Sequence, residues 1–140
     1  MAKFHINKIK QRLAFLLLGL LVVSLLSACN NKAPKISVEP ALQELGTQPQ
    51  QLIELVFTIK NTGNADLVID KVSASCDCTS AELLNNTIPA GKSTELLVKF
   101  DPVEDNLYGE IQRIIYMHSN DPDKPEVEAE FRVTILKPEG

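Results

Sequence analysis

The stretch Glu126-Val127-Glu128-Ala129-Glu130-Phe131-Arg132-Val133-Thr134-Ile135-Leu136 decides the fold class of this chain. Val127, Ala129, Phe131, Val133 and Ile135 alternate with Glu128, Glu130, Arg132 and Thr134. Successive side chains of a strand point to opposite faces, so this period of two predicts a half-buried strand with its apolar parity turned to a core. Leu55, Phe57 and Ile59 alternate with Glu54, Thr58 and Lys60 in the same way, and Leu96, Val98 and Phe100 repeat the pattern until Asp101 and Pro102 end it. Further apolar runs at 35–38, 67–72, 80–84 and 107–118 bring the expected count to about seven strands, with no amphipathic helical stretch between them. The expected architecture is an all-β sandwich over residues 36–137.

Punctuation agrees with that reading. Asn61-Thr62-Gly63-Asn64, Pro89-Ala90-Gly91 and Asn120-Asp121-Pro122-Asp123 are clusters of residues that preset φ or tolerate positive φ, each where one strand should hand over to the next. The chain contains no Trp, and its three cysteines cannot supply the long-range bridge of an antibody-type domain, so the sandwich belongs to another branch.

The N-terminal segment reads as an export signal. Lys3, Lys8, Lys10 and Arg12 form a basic start, an uncharged stretch of 16 residues follows over 13–28, and Leu26-Ser27-Ala28-Cys29 closes it with small residues before a cysteine. A spanning helix is the competing reading, but it requires roughly 20 apolar residues. The box is similar to that of bacterial lipoproteins, which implies cleavage after residue 28, lipidation of Cys29 and attachment to a bilayer through its acyl chains. Residues 29–35 then form a short polar tether ending near Pro34. In such lipoproteins an aspartate after the lipidated cysteine marks inner-membrane retention. Asn30 stands there, so the expected location is the periplasmic face of the outer membrane where the host has two membranes.

Residues 1–28 hold four of the 14 basic residues and none of the 18 acidic ones, so the remainder carries a net charge of −8. That balance argues against sequence-independent nucleic-acid binding, which depends on clustered Lys and Arg. Its length suits one domain.

The string from Phe57 to Ile69 with its Asn61-Thr62-Gly63 turn, then Cys76-Asp77-Cys78-Thr79, Ile88-Pro89-Ala90-Gly91 and Val98-Lys99-Phe100-Asp101, resembles the bacterial family of domain of unknown function 1573 (DUF1573) over about residues 36–135. The resemblance implies an immunoglobulin-like sandwich of the Hydin and sperm-protein type in exported, often lipidated proteins, and it implies no activity. Members of the family usually have Gly between the two cysteines where this chain has Asp77, a residue that reaches positive φ only at a cost.

Cys76 and Cys78 are the one constellation able to carry chemistry. In an oxidising compartment the pair is expected as a structural disulfide, a redox pair or a soft-metal pair for Cu(I) or zinc. Full extension would hold their Cα atoms roughly 6.6 Å apart, at the edge of disulfide range, so a local bridge needs a turn. Extra metal ligands are sparse: His118 is the sole histidine after residue 28, and alternation sets it and Met117 on opposite faces. Glu126, Glu128 and Glu130 fall on the outward parity, and Asp121 and Asp123 lie in a turn. Neither a phosphate loop nor a His-Glu-x-x-His motif occurs.

The expected function is therefore a non-catalytic, membrane-anchored module of the cell envelope, without cofactor, that binds a protein or other envelope component through strand edges or loops. The alternative is a thiol-redox or copper-handling protein using Cys76 and Cys78.

Overall fold

The computed structural model describes residues 32–137. The export-signal reading of 1–28 and the lipidation reading of Cys29 lie outside the described residues. Among these described residues nine strands occur in chain order: β1 (Ile36–Glu39), β2 (Leu42–Gln48), β3 (Ile53–Asn61), β4 (Leu67–Ala74), β5 (Thr79–Leu83), β6 (Thr87–Ile88), β7 (Ser93–Phe100), β8 (Gly109–Ser119) and β9 (Glu126–Ile135). They form a four-stranded sheet in the order β1-β3-β7-β5 and a five-stranded sheet in the order β2-β9-β8-β4-β6. The fold is all-β, a two-sheet sandwich, as the alternation predicts.

The decisive stretch is β9, whose inner parity packs as expected: Ala129, Phe131, Val133 and Ile135 are buried, while Glu126, Glu128 and Arg132 face solvent. From the opposite sheet β3 contributes Leu55, Phe57 and Ile59, and β7 contributes Leu96, Val98 and Phe100. The rings of Phe100 and Phe131 meet across the layers at a centroid distance of 5.5 Å, tilted by 54°, within the range where aromatic pairs attract beyond their area. Each such buried side chain contributes roughly 1.5–3 kcal/mol.

The count of about seven strands is corrected to nine by β2 and β6. β6 is only two residues long. β2 pairs parallel with β9, and its register shifts between Glu44 and Thr47, where Gly46 takes φ +64°. A bulge breaks the period of two, so alternation cannot reveal such a strand. Between β1 and β2 the chain passes from one sheet to the other, beginning at the cis bond Glu39–Pro40.

The Asn61-Thr62-Gly63-Asn64 turn has a second role. Asn61 is 1 % exposed. Its Nδ2 donates to the carbonyls of Ala65 (2.7 Å) and Ile88 (2.8 Å), while its Oδ1 accepts from the backbone N–H of Gly63 (3.0 Å) and Lys35 (3.2 Å). Backbone bonds from Thr62 to Lys35 and from Asn64 to Ala33, at 2.8 and 3.0 Å, fasten the incoming segment to the same turn. Gly63 is required by that approach, since a Cβ there would stand 2.3 Å from the Ala33 carbonyl oxygen. Residues 33–35, read from sequence as free tether, are thus docked on the sandwich.

A second clamp at this end is Asp121, 3 % exposed. Its carboxylate accepts N–H bonds from Ile36 (2.8 Å), Asp123 (2.8 Å) and Lys124 (3.1 Å). Burial by itself would raise its pKa, but these three donors and the charge of Lys35 outweigh burial and hold it below the usual carboxylate value.

Candidate disulfide site

β4 lies in the five-stranded sheet and β5 in the four-stranded one, so residues 75–78 form a crossover between layers. The chain turns there, with the Thr79 N–H donating to the Cys76 carbonyl at 3.3 Å. The turn draws the two Cα atoms to 5.4 Å, and Cys76 and Cys78 are joined as a disulfide. Asp77 does not need left-handed backbone, because Asn106 is the one non-glycine residue with positive φ among the described residues.

The crossover is held on both flanks. The Ser75 N–H donates to the Ile114 carbonyl (2.9 Å), and the Asp101 N–H donates to the Cys78 carbonyl (3.0 Å). Cys78 is buried at 7 % exposure and Cys76 is half-buried. The bridge closes only three residues, and on the chain-entropy model a loop that short is worth about 1.6 kcal/mol, well below what a long-range bridge supplies.

Sequence reasoning missed the neighbour that gives this site its electrostatics. Arg113 of β8 shares inward parity with Ile111, Ile115 and Met117. Its Nε donates to Cys76 Sγ at 3.1 Å, and its guanidinium carbon lies 5.5 Å from the Phe100 ring centroid. One Nη donates to the Gln112 carbonyl at 2.8 Å. Among the described residues no carboxylate lies within ion-pair distance of Arg113. Burial pushes the guanidinium pKa down from its ordinary value, and the charge of Asp105 pulls it back up. Thr79 Oγ1 completes the setting, 3.4 Å from Cys76 Sγ and 3.8 Å from Cys78 Sγ. The available signal was parity, a charged residue on the apolar face of 109–119.

The other residues singled out by sequence are not brought to the pair. Met117 is fully buried core, while His118 points outward and pairs across strands with Glu126 at 2.6 Å. Glu130 bonds Arg132 at 2.7 Å on the outer face, beside an open groove of about 510 Å³ lined by Glu44, Glu110 and Arg132. Asp121 is committed to backbone donors. Among the described residues no three His, Cys, Asp or Glu side chains are grouped for a metal ion.

Two sheets joined by layer-switching connections define an immunoglobulin-like sandwich. The chain belongs to the family described as "Protein of unknown function (DUF1573)", whose model matches residues 36–135. No curated protein matches it. Among solved structures it is similar to a protein of unknown function from Porphyromonas gingivalis W83, with a TM-score of 0.68 and 18 % identity, covering 77 % of this chain and 50 % of that one. This chain therefore spans about half the length of the Porphyromonas protein. It is also similar to the ASH/PapD-like domain 7 of human CEP192 (TM-score 0.59, 10 % identity, 81 % of this chain and 93 % of that one). The YadV chaperone is a further neighbour (TM-score 0.51, 11 % identity, 75 % and 54 %). At these identities the likeness concerns the fold.

Proposed function

We propose that this chain is a lipid-anchored module of the bacterial cell envelope whose work is binding rather than catalysis. The observation that carries the reading is the polarity of the sandwich. The incoming chain is clamped at one end by Asn61 and Gly63. The exposed apolar residues Leu52, Val103, Tyr108 and Leu136 border the other end, beside the Phe100–Ile53 and Gly109–Ile135 pairs. The nine residues of β3 place about 30 Å of strand between the ends.

With lipid on Cys29, the four steps to the docked Ala33 span at most about 14 Å. The clamped end then stays near the bilayer and the apolar end faces away from it. A protein partner meets that distal end, or adds a strand at β2, which at seven residues is the longest strand on a sheet edge. Asn30 favours the periplasmic face of the outer membrane as the location.

Two measurements test this. Full-length protein should partition into the detergent phase and Cys29→Ala should abolish the partition; a variant that still partitions removes lipidation. Photocrosslinkers at Val103 and Tyr108 should trap a discrete partner in intact envelopes, while one at Lys92, on the clamped end, should not. Equal trapping from both ends, or none from either, rejects the distal docking face.

A further inference from the structure

The bridge at Cys76 and Cys78 contributes little as a staple, yet it is furnished with donors. A disulfide sulfur is a weak acceptor, and it gains a great deal when it becomes a thiolate. Arg113 Nε already lies 3.1 Å from Cys76 Sγ, with its guanidinium stacked on Phe100 and no carboxylate in ion-pair contact among the described residues. The charge that faces Arg113 on reduction is the one this half-buried cation lacks in the oxidised state. Asp77 lies between the two cysteines and the Asp101 N–H donates to the Cys78 carbonyl, while the charge of Asp105 acts on Arg113; these carboxylates oppose the thiolate, but none is in ion-pair contact with Arg113. Thr79 Oγ1 lies beside both sulfurs, nearer Cys76, as a further donor.

We infer that Cys76 and Cys78 form a thiol–disulfide exchange site, in which Arg113 stabilises the reduced pair and so makes the bridge an oxidant for protein dithiols. Cys76 is the more exposed residue of the two, and its sulfur is the one attacked first. A substrate thiolate bonds to Cys76 Sγ, the Cys76–Cys78 bond breaks, and Cys78 leaves as a thiolate that takes up a proton. The substrate's second thiolate then attacks its own sulfur in the mixed disulfide, and Cys76 departs as a thiolate held by Arg113. The substrate loses two electrons and gains a disulfide; the Cys76–Cys78 pair gains the two electrons. Any low-molecular-weight or protein disulfide of higher potential restores the bridge by the reverse exchange. Stabilising the reduced form is the general route to an oxidising pair, and a low thiol pKa makes Cys76 the better leaving group.

The inference goes beyond the docking reading and needs neither the anchor nor a partner. Full-length protein in detergent micelles is equilibrated with mixtures of reduced and oxidised glutathione, quenched, alkylated and weighed as intact mass. Arg113→Leu should shift the equilibrium about tenfold toward the bridge, equivalent to about 30 mV for this two-electron couple, and Arg113→Lys should fall between. A shift below twofold in a folded Arg113→Leu variant overturns the inference. Cys78→Ala in the otherwise native chain gives a second reading that does not depend on that variant folding. The alkylation rate of the Cys76 peptide against pH should show a midpoint below the ordinary thiol value of about 8.5, and a midpoint at or above it overturns the inference. Neither result bears on detergent partition or crosslinking, so the two readings fail separately.

Discussion

Asn61→Ala tests whether one side chain holds the incoming chain to the sandwich. The substitution deletes four hydrogen bonds: two donated to Ala65 and Ile88 carbonyls, and two accepted from Gly63 and Lys35 amides. Each bond of this type is worth about 0.5–1.5 kcal/mol net. The Ile88 carbonyl is buried and loses its Asn61 partner, whereas Lys35 and Gly63 are more open to solvent. The expected loss is therefore about 3–4 kcal/mol, a large share of the 5–15 kcal/mol that a domain possesses.

Urea unfolding of the protein followed by circular dichroism reads it directly. With an m-value of about 1.5 kcal/mol/M, the midpoint should fall by about 2 M. Asn61→Asp keeps an acceptor for the Gly63 and Lys35 amides but sets an oxygen against two carbonyl oxygens, so it should be no more stable than the Ala variant. Hydrogen exchange should localise the damage, with the Lys35 and Thr62 amides losing protection first. A loss under 1 kcal/mol, or an Asp variant as stable as the native chain, would refute the four-bond account.

Gly63→Ala should undock the incoming segment, since its Cβ would meet Ala33 and Lys35 backbone at 2.3 and 2.6 Å; a loss of about 1–3 kcal/mol is expected, and unchanged Asn64 amide protection would count against it. Asp121→Asn should cost about 1.5–3 kcal/mol at pH 7. Because the native carboxyl is held below its unfolded value of about 3.9, its contribution is complete above that pH and is lost as the pH falls through the native value. The gap between native and Asn variant should therefore close below about pH 4, and a gap independent of pH would show that the carboxylate charge is not what matters. Reduction of Cys76–Cys78 should destabilise the domain by less than the ~1.6 kcal/mol of so short a loop, because Arg113 stabilises the reduced pair in the folded state, and leave it folded; unfolding on reduction at room temperature would make the bridge an essential staple instead. Phe131→Ala should cost about 3–5 kcal/mol by emptying the space against Phe100, and a change under 1 kcal/mol in the unfolding midpoint analysis would mean that the inner parity of β9 has been misplaced.

What the sequence by itself determined is everything that depends on local period and local chemistry. A side chain's parity along β3, β7 and β9 decides which face it occupies, so Phe57, Val98, Phe100 and Phe131 were legible as core before any pairing was known. The turns at Asn61, Pro89 and Asn120 were legible for the same reason, because their φ preferences are intrinsic. β2 escaped because a bulge at Gly46 interrupts its period, and β6 because two residues carry no period. The Cys76-Asp77-Cys78 spacing showed that a bridge required a turn, but not that β4 and β5 lie in different sheets, which is what supplies the turn. Only the tertiary structure decided that Asn61 clamps residues 33–35, that Asp121 serves the start of β1, and that Arg113 meets Cys76. Each of these joins residues between 26 and 85 positions apart, and contacts of that range are fixed by which strands pair and which layers stack, a property of the assembled sheets that no window along the chain contains.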